Sequence, residues 1–150
     1  PGTEQRVCSA CNYTEQRGIP ATGEEPETPV ASFKDVDETT YHVEAIAWLE
    51  SAGVSTGFED GTFRPMDEIS RQDMALMLQR YAKTVKGTDT TPTGDLSRWP
   101  DAGQVGSWAV DALRWCVGAG IINGKDGGLQ PTGNATRAEF ATILMRYAKL

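Results

Sequence analysis

Two stretches of this chain are versions of each other. Phe33-Lys34-Asp35 aligns with Trp99-Pro100-Asp101, and after a one-residue shift Ala45, Trp48, Ala52 and Gly53 fall on Ala112, Trp115, Ala119 and Gly120. A compensating deletion follows, and Asp60-Gly61, Pro65, Arg71, Ala75 and Leu78 then meet Asp126-Gly127, Pro131, Arg137, Ala141 and Leu144. The tetrapeptide Arg80-Tyr81-Ala82-Lys83 recurs unchanged as Arg146-Tyr147-Ala148-Lys149, so residues 33–83 and 99–149 are two copies of one 51-residue unit. A supersecondary unit written twice constrains the fold more than composition does.

Each copy reads as helix, loop, helix. In the first helix Tyr41, Ala45, Trp48, Leu49 and Ala52 recur at helical spacing, as do Trp108, Ala112, Trp115, Cys116 and Ala119, which predicts one apolar face on each helix. Gly53 and Gly120 follow, where a glycine takes the left-handed conformation that ends a helix. Asp60-Gly61 and Asp126-Gly127 then signal a tight reversal, expected as an irregular turn or a very short hairpin, and Pro65 and Pro131 keep the chain from helix before the next start. Thr136-Arg137-Ala138-Glu139 is a capping box, in which threonine and glutamate each satisfy a free amide; Ser70-Arg71-Gln72-Asp73 is a shorter-armed version. The second helices carry the stripes Met74, Met77, Leu78, Tyr81 and Phe140, Ile143, Leu144, Tyr147. The expected fold is mainly α, two helix-loop-helix repeats packed as a small bundle with irregular loops or very short strands.

The segments outside the copies are polar and turn-rich. Residues 1–32 show no helix pattern and are expected to be extended or poorly ordered, and residues 84–98 have the composition of a linker, leaving repeats at 33–83 and 99–150. Net charge is -7 with a pI near 4.7, which argues against a nucleic-acid partner because no basic stripe is present to neutralise phosphates. The charge is unevenly spread: residues 33–83 carry ten acids against five bases, residues 99–150 four against five. Apolar runs such as Ala45 to Leu49 fall far short of the roughly 20 residues a membrane span needs. The chain begins at Pro1 without a charged-then-apolar leader, so it reads as a piece of a longer protein whose export signal lies elsewhere.

Arg71 and Arg137 are the residues most in need of explanation. Each is predicted at the first position of a helix, where a cation opposes the helix dipole by about 0.3–1 kcal/mol. Two compensations are open: a bound anion, since free helix amides and a guanidinium make a carboxylate pocket, or an internal salt bridge to Asp35 or Asp101. Tyr41 and Trp108 begin the apolar stripes, which favours a place in the core, although their ring faces also suit the apolar side of a pyranose; Trp48 and Trp115, in mid-stripe, are assigned to the core. Cys116 has apolar neighbours and reads as a buried thiol. Cys8 and Cys11 have the spacing of half a zinc site, but His42 is the only histidine and a complete site is not expected. The loop acids lack the ligand order of a calcium loop, and no nucleophile motif or phosphate loop is present, so neither a cofactor nor an enzyme activity is expected.

The combined pattern resembles the S-layer homology (SLH) repeat of bacterial surface proteins. Phe33-Lys34-Asp35-Val36, Gly53-Val54, Gly57 to Pro65 and Ile69-Ser70-Arg71 carry the resemblance in the first copy; Trp108-Ala109, Gly120-Ile121, Gly124 and Thr136 to Glu139 carry it in the second. The first copy departs from the family pattern at Tyr41, where a tryptophan is usual, and at Gln72-Asp73. The resemblance implies a non-catalytic wall anchor that binds secondary cell-wall polysaccharide, an anionic, pyruvylated type of glycan linked to peptidoglycan, and an extracellular, wall-associated location. It also implies a glycan role for Arg71, Arg137, Asp35, Asp101, Tyr41 and Trp108, with Arg137 mattering more than Arg71. Such repeats usually work in threes, so a homo-oligomer completing a three-repeat unit is one expectation from the two present here. A protein-interaction or self-assembly module, or an adhesin segment, is the alternative. The stretch from Cys8 to Gly23 resembles the cysteine-containing ends of extracellular repeat modules.

Overall fold

The computed structural model describes the backbone of residues 2–7 and 14–19 and the whole of residues 30–150. The first two segments are strands: β1 (Gly2–Val7) pairs antiparallel with β2 (Thr14–Ile19), with Glu4 opposite Arg17 and Arg6 opposite Glu15. Thr-Glu-Gln-Arg occurs in both strands, a signal of pairing that the helix-directed reading of this segment does not use. Cys8 and Cys11 lie outside the described residues.

The repeats contribute four helices, α1 (Val43–Ser51), α2 (Arg71–Thr84), α3 (Val110–Gly118) and α4 (Arg137–Ala148), with short 3-10 turns at Ala102–Gln104 and Ser107–Ala109 ahead of α3. Among the described residues no helix is long and apolar enough to cross a membrane. The first helix of each repeat closes in the same way. Gly53 (φ 69°) and Gly120 (φ 72°) are left-handed, and the next amide reaches back to an open carbonyl, Val54 N to Leu49 O at 2.9 Å and Ile121 N to Cys116 O at 2.8 Å. Val54 and Ile121 are thereby turned inward and buried. The second helices start on the predicted caps. In α4 the Thr136 hydroxyl accepts from Glu139 N at 3.2 Å and Glu139 accepts from Thr136 N at 2.8 Å. In α2 the Ser70 hydroxyl accepts from Asp73 N, also at 3.2 Å.

Packing across the repeats differs from packing within them. The helix that lies against α3 is α2, from the other copy, and the main core joins Met74, Ala75, Leu78 and Ala82 of α2 to Ala112, Leu113, Trp115 and Cys116 of α3, with Ile121, Leu129 and Ile143 beneath. A smaller core, Phe33, Val36, Val43, Ile46 and Ala47, serves the first repeat alone. Residues 84–98, despite their linker composition, run over α3: Gly94 N donates to Arg114 O at 2.9 Å, and Arg114 Nε returns to Gly94 O at 3.0 Å. The approach depends on glycines, because a Cβ on Gly118 would lie 2.3 Å from Thr93 Oγ1.

Three expectations about faces need correction. In α1 the buried stripe is Val43, Ile46 and Ala47, not Ala45 and Trp48; the Asp37-to-Thr40 turn and a left-handed His42 (φ 60°) start the helix later and rotate its inward face. Trp48 is 49% exposed, whereas its counterpart Trp115 is buried as expected. In α4 only Ile143 of the predicted stripe is buried, and Phe140 and Leu144 are exposed, because among the described residues nothing lies on α4 as α3 lies on α2.

Candidate functional site

The two aspartates of the repeat motif do the same local work. Asp35 accepts from Phe63 N and Arg64 N, both at 2.8 Å, and Asp101 accepts from Leu129 N at 2.9 Å and Gln130 N at 2.7 Å. These bonds, the Phe63 and Leu129 amides foremost, hold both carboxyls below the ordinary aspartate range. Each clamps the end of the Asp-Gly turn, where Arg64 (φ 59°) and Gln130 (φ 48°) are left-handed. Within the first turn Asp60 is held down to about 2, chiefly by the Thr62 hydroxyl and then by Arg64 at 2.9 Å.

The two motif arginines have opposite fates. Arg71 is 4% exposed and sits between the repeats: its Nε donates to Leu129 O at 3.0 Å and its guanidinium lies 3.4 Å from Glu139. The amides that begin α2 are also taken up by the second repeat, Arg71 N by Gly133 O at 2.9 Å and Gln72 N by Pro131 O at 3.0 Å. The dipole mismatch of a cation at a helix start is thus offset by a carbonyl and a carboxylate from the neighbouring repeat. Arg137 is exposed, and among the described residues its guanidinium has no ion pair or hydrogen bond, nor do the amides of Arg137 and Ala138 have an acceptor. Neither arginine pairs with Asp35 or Asp101 among the described residues; the partner Arg71 finds is Glu139.

One seam therefore gathers residues that the sequence places far apart. Leu129 is held on both sides, its carbonyl oxygen accepting from Arg71 and its amide donating to Asp101. Gln72 Oε1 accepts from Gly106 N at 2.9 Å, and Gly106 lies so close to the Trp108 ring that a Cβ there would be 2.6 Å from the indole nitrogen. Trp108, on the 3-10 turn before α3, is 51% exposed rather than part of the stripe, and marks the rim. Lys125 Nζ, 2.9 Å from Glu139, is a second cation at the rim. Glu139 is held down to about 2, by the Thr136 amide first, then Lys125 and Arg71.

Arg71, Asp101 and Trp108 thus meet at the seam. Asp35 and Tyr41 belong to the first repeat's outer side, where Tyr41 is 73% exposed with its ring 3.7 Å from that of His42, and Arg137 stands alone on α4. Sequence reasoning misses Gln72, Lys125 and Glu139 as seam residues. The one available signal is Gln72, a polar side chain where the other copy has Ala138, since Glu139 is fully accounted for as a cap. Cys116 is buried, and burial pushes its thiol up to about 12. No group of three metal-ligating side chains occurs among the described residues.

Comparison with known proteins fits this two-unit geometry. The model of the S-layer homology domain matches residues 32–75 and 100–141. The surface-layer 125 kDa protein of Lysinibacillus sphaericus is 28% identical over 148 residues, covering 96% of this chain and 12% of that protein. An S-layer protein of Bacillus thuringiensis subsp. finitimus is 28% identical over 127 residues, covering 82% and 15%. An amylopullulanase of Thermoanaerobacterium thermosulfurigenes is 31% identical over 120 residues, 79% of this chain and 6% of that protein. The chain therefore spans a small part of the length of the curated relatives it matches.

Proposed function

The chain belongs to the S-layer homology family, its two repeats being a cell-surface anchoring module, and from that premise we propose that it holds its parent protein on the wall by binding an anionic secondary cell-wall polysaccharide. The observation that carries the reading is the convergence at one seam of Arg71 from the first repeat with Asp101 and Trp108 from the second, ringed by Lys125. Trp108 offers an exposed aromatic face for a sugar ring, Lys125, paired with Glu139 on one side, keeps its other ammonium hydrogens for a glycan carboxylate, and Arg71 and Asp101 fix the loop between them. Arg137, whose guanidinium and two helix amides have no partner among the described residues, is the second anion contact. The module itself is non-catalytic, and enzyme activity in a longer parent protein would reside outside these repeats.

The test is co-sedimentation with purified sacculi, with and without chemical stripping of the secondary polymer. Binding is expected to fall on stripping, in Trp108→Ala and in Arg137→Ala; equal retention on stripped walls overturns the reading. Arg137→Ala is expected to lose more binding per folded molecule than Arg71→Ala, because the Arg71 guanidinium is already held by Leu129 O and Glu139.

A further inference from the structure

Among the described residues, Gln72 alone in the first repeat hydrogen-bonds to both walls of the seam. Its backbone amide donates to Pro131 O at 3.0 Å, on the 129–133 loop, and its side-chain Oε1 accepts from Gly106 N at 2.9 Å, at the foot of the turn that carries Trp108. Asp101 joins the same walls a second time. Its carboxylate accepts from Gln130 N at 2.7 Å, and its carbonyl accepts from Gln104 N at 3.0 Å in the 3-10 turn that leads to Gly106. Gln72, the 130–131 peptide, Asp101 and Gly106 thus form a closed ring of hydrogen bonds and short chain segments.

Trp108 takes its place from this ring. Among the described residues, the bond from Gln72 is the only side-chain hydrogen bond made to residues 102–109. The turn is pinned at both ends, by Gln72 at Gly106 and by the buried Ala109, whose amide donates to Gly106 O at 2.8 Å, and Trp108 stands half exposed between them. Its ring leans back over Gly106, where a Cβ would lie 2.6 Å from the indole nitrogen, so any shift of Gly106 is passed to the ring. Gln72 is only 9% exposed, and a buried amide side chain is retained at little cost when its oxygen is bonded in this way. The equivalent residue of the second repeat, Ala138, has no acceptor to offer, so the tether belongs to this seam and not to the repeat motif.

We propose that Gln72 is a positioning residue of the glycan site: it holds the Trp108 ring in a fixed relation to the loop that carries Lys125, and so sets which sugars can stack and pair there at once. It acts through Trp108 and does not touch the sugar. An aromatic ring fixed before the ligand arrives loses less freedom on binding, which is how a tether outside the contact surface raises affinity. The assignment rests on the anchoring reading of the seam.

Gln72→Met keeps the volume and helix-forming character of the side chain and removes the acceptor. In the isotope-labelled chain without glycan, exchange of the Gly106 amide, followed by nuclear magnetic resonance, is expected to quicken about threefold to tenfold in Gln72→Met. It is expected to return to the wild-type rate in Gln72→Glu, whose carboxylate still accepts. On sacculi that retain the secondary polymer, Gln72→Met is expected to bind about threefold to tenfold more weakly than the wild type, and to cost nothing further in a Trp108→Ala background. Gly106→Ala, which pushes the ring aside with Gln72 in place, is expected to weaken binding likewise and serves if Gln72→Met fails to fold. Equal losses from Gln72→Met with and without Trp108 overturn the proposal, as does a Gly106 amide indifferent to the substitution. A wild type that binds intact and stripped walls alike overturns the anchoring reading and this assignment together. A wild type that prefers intact walls, matched there by Gln72→Met, overturns this assignment alone.

Discussion

Arg71 and Arg137 hold one motif position and answer to different surroundings. Replacing Arg71 with alanine removes its bonds to Leu129 O and Glu139 and leaves a buried carbonyl unpaired. The expected loss is about 2–3 kcal/mol of unfolding free energy. Arg137→Ala is expected to stay within about 0.5 kcal/mol of the wild type, since its side chain is solvated. Denaturant titration of both variants measures the contrast, and equal losses would take Arg71 out of the interface. That both arginines open a helix is legible in the sequence; which one is covered is not, because the covering atoms belong to a loop 58 residues further on.

At the scale of the element, local chemistry accounts for most boundaries. The capping box at Thr136, the left-handed Gly53 and Gly120, and the Asp-Gly turns all involve residues within five positions of each other, and all are readable in advance. The inward face of α1 is not, since the left-handed His42 shifts its start. The α4 cap also gives the chain a pH dependence. Glu139 titrates at about 2 instead of its ordinary 4.5, so between those values the unfolded chain binds the extra proton. Its stabilising contribution is therefore complete above that ordinary value and is lost as pH falls towards 2. Thermal melts from neutral to acid pH should fall through this window, and Glu139→Gln should flatten part of the fall; an unchanged profile would mean that the other carboxyls whose values are lowered, Asp35, Asp60 and Asp101 among them, carry all of it.

For the whole molecule, the pairing of α2 with α3 makes the two repeats one folding unit, although the sequence presents them as separable. Truncation to residues 1–98 strips the cover from Met74, Ala75, Leu78 and Ala82, and helical circular dichroism with cooperative melting is expected to be lost; a first repeat that melts cooperatively alone would contradict this. The sequence by itself determined the repeat, the helix-loop-helix order within each copy, the caps of the second helices and the family, because these depend on spacings of a few residues that any copy reproduces. Only the tertiary structure decided which apolar stripe is core and which is open surface, which arginine is buried, and that Arg71, Asp101 and Trp108 share a seam. Burial depends on what lies opposite, and here the opposite face belongs to the other repeat: the same stripe is covered on α2 and bare on α4.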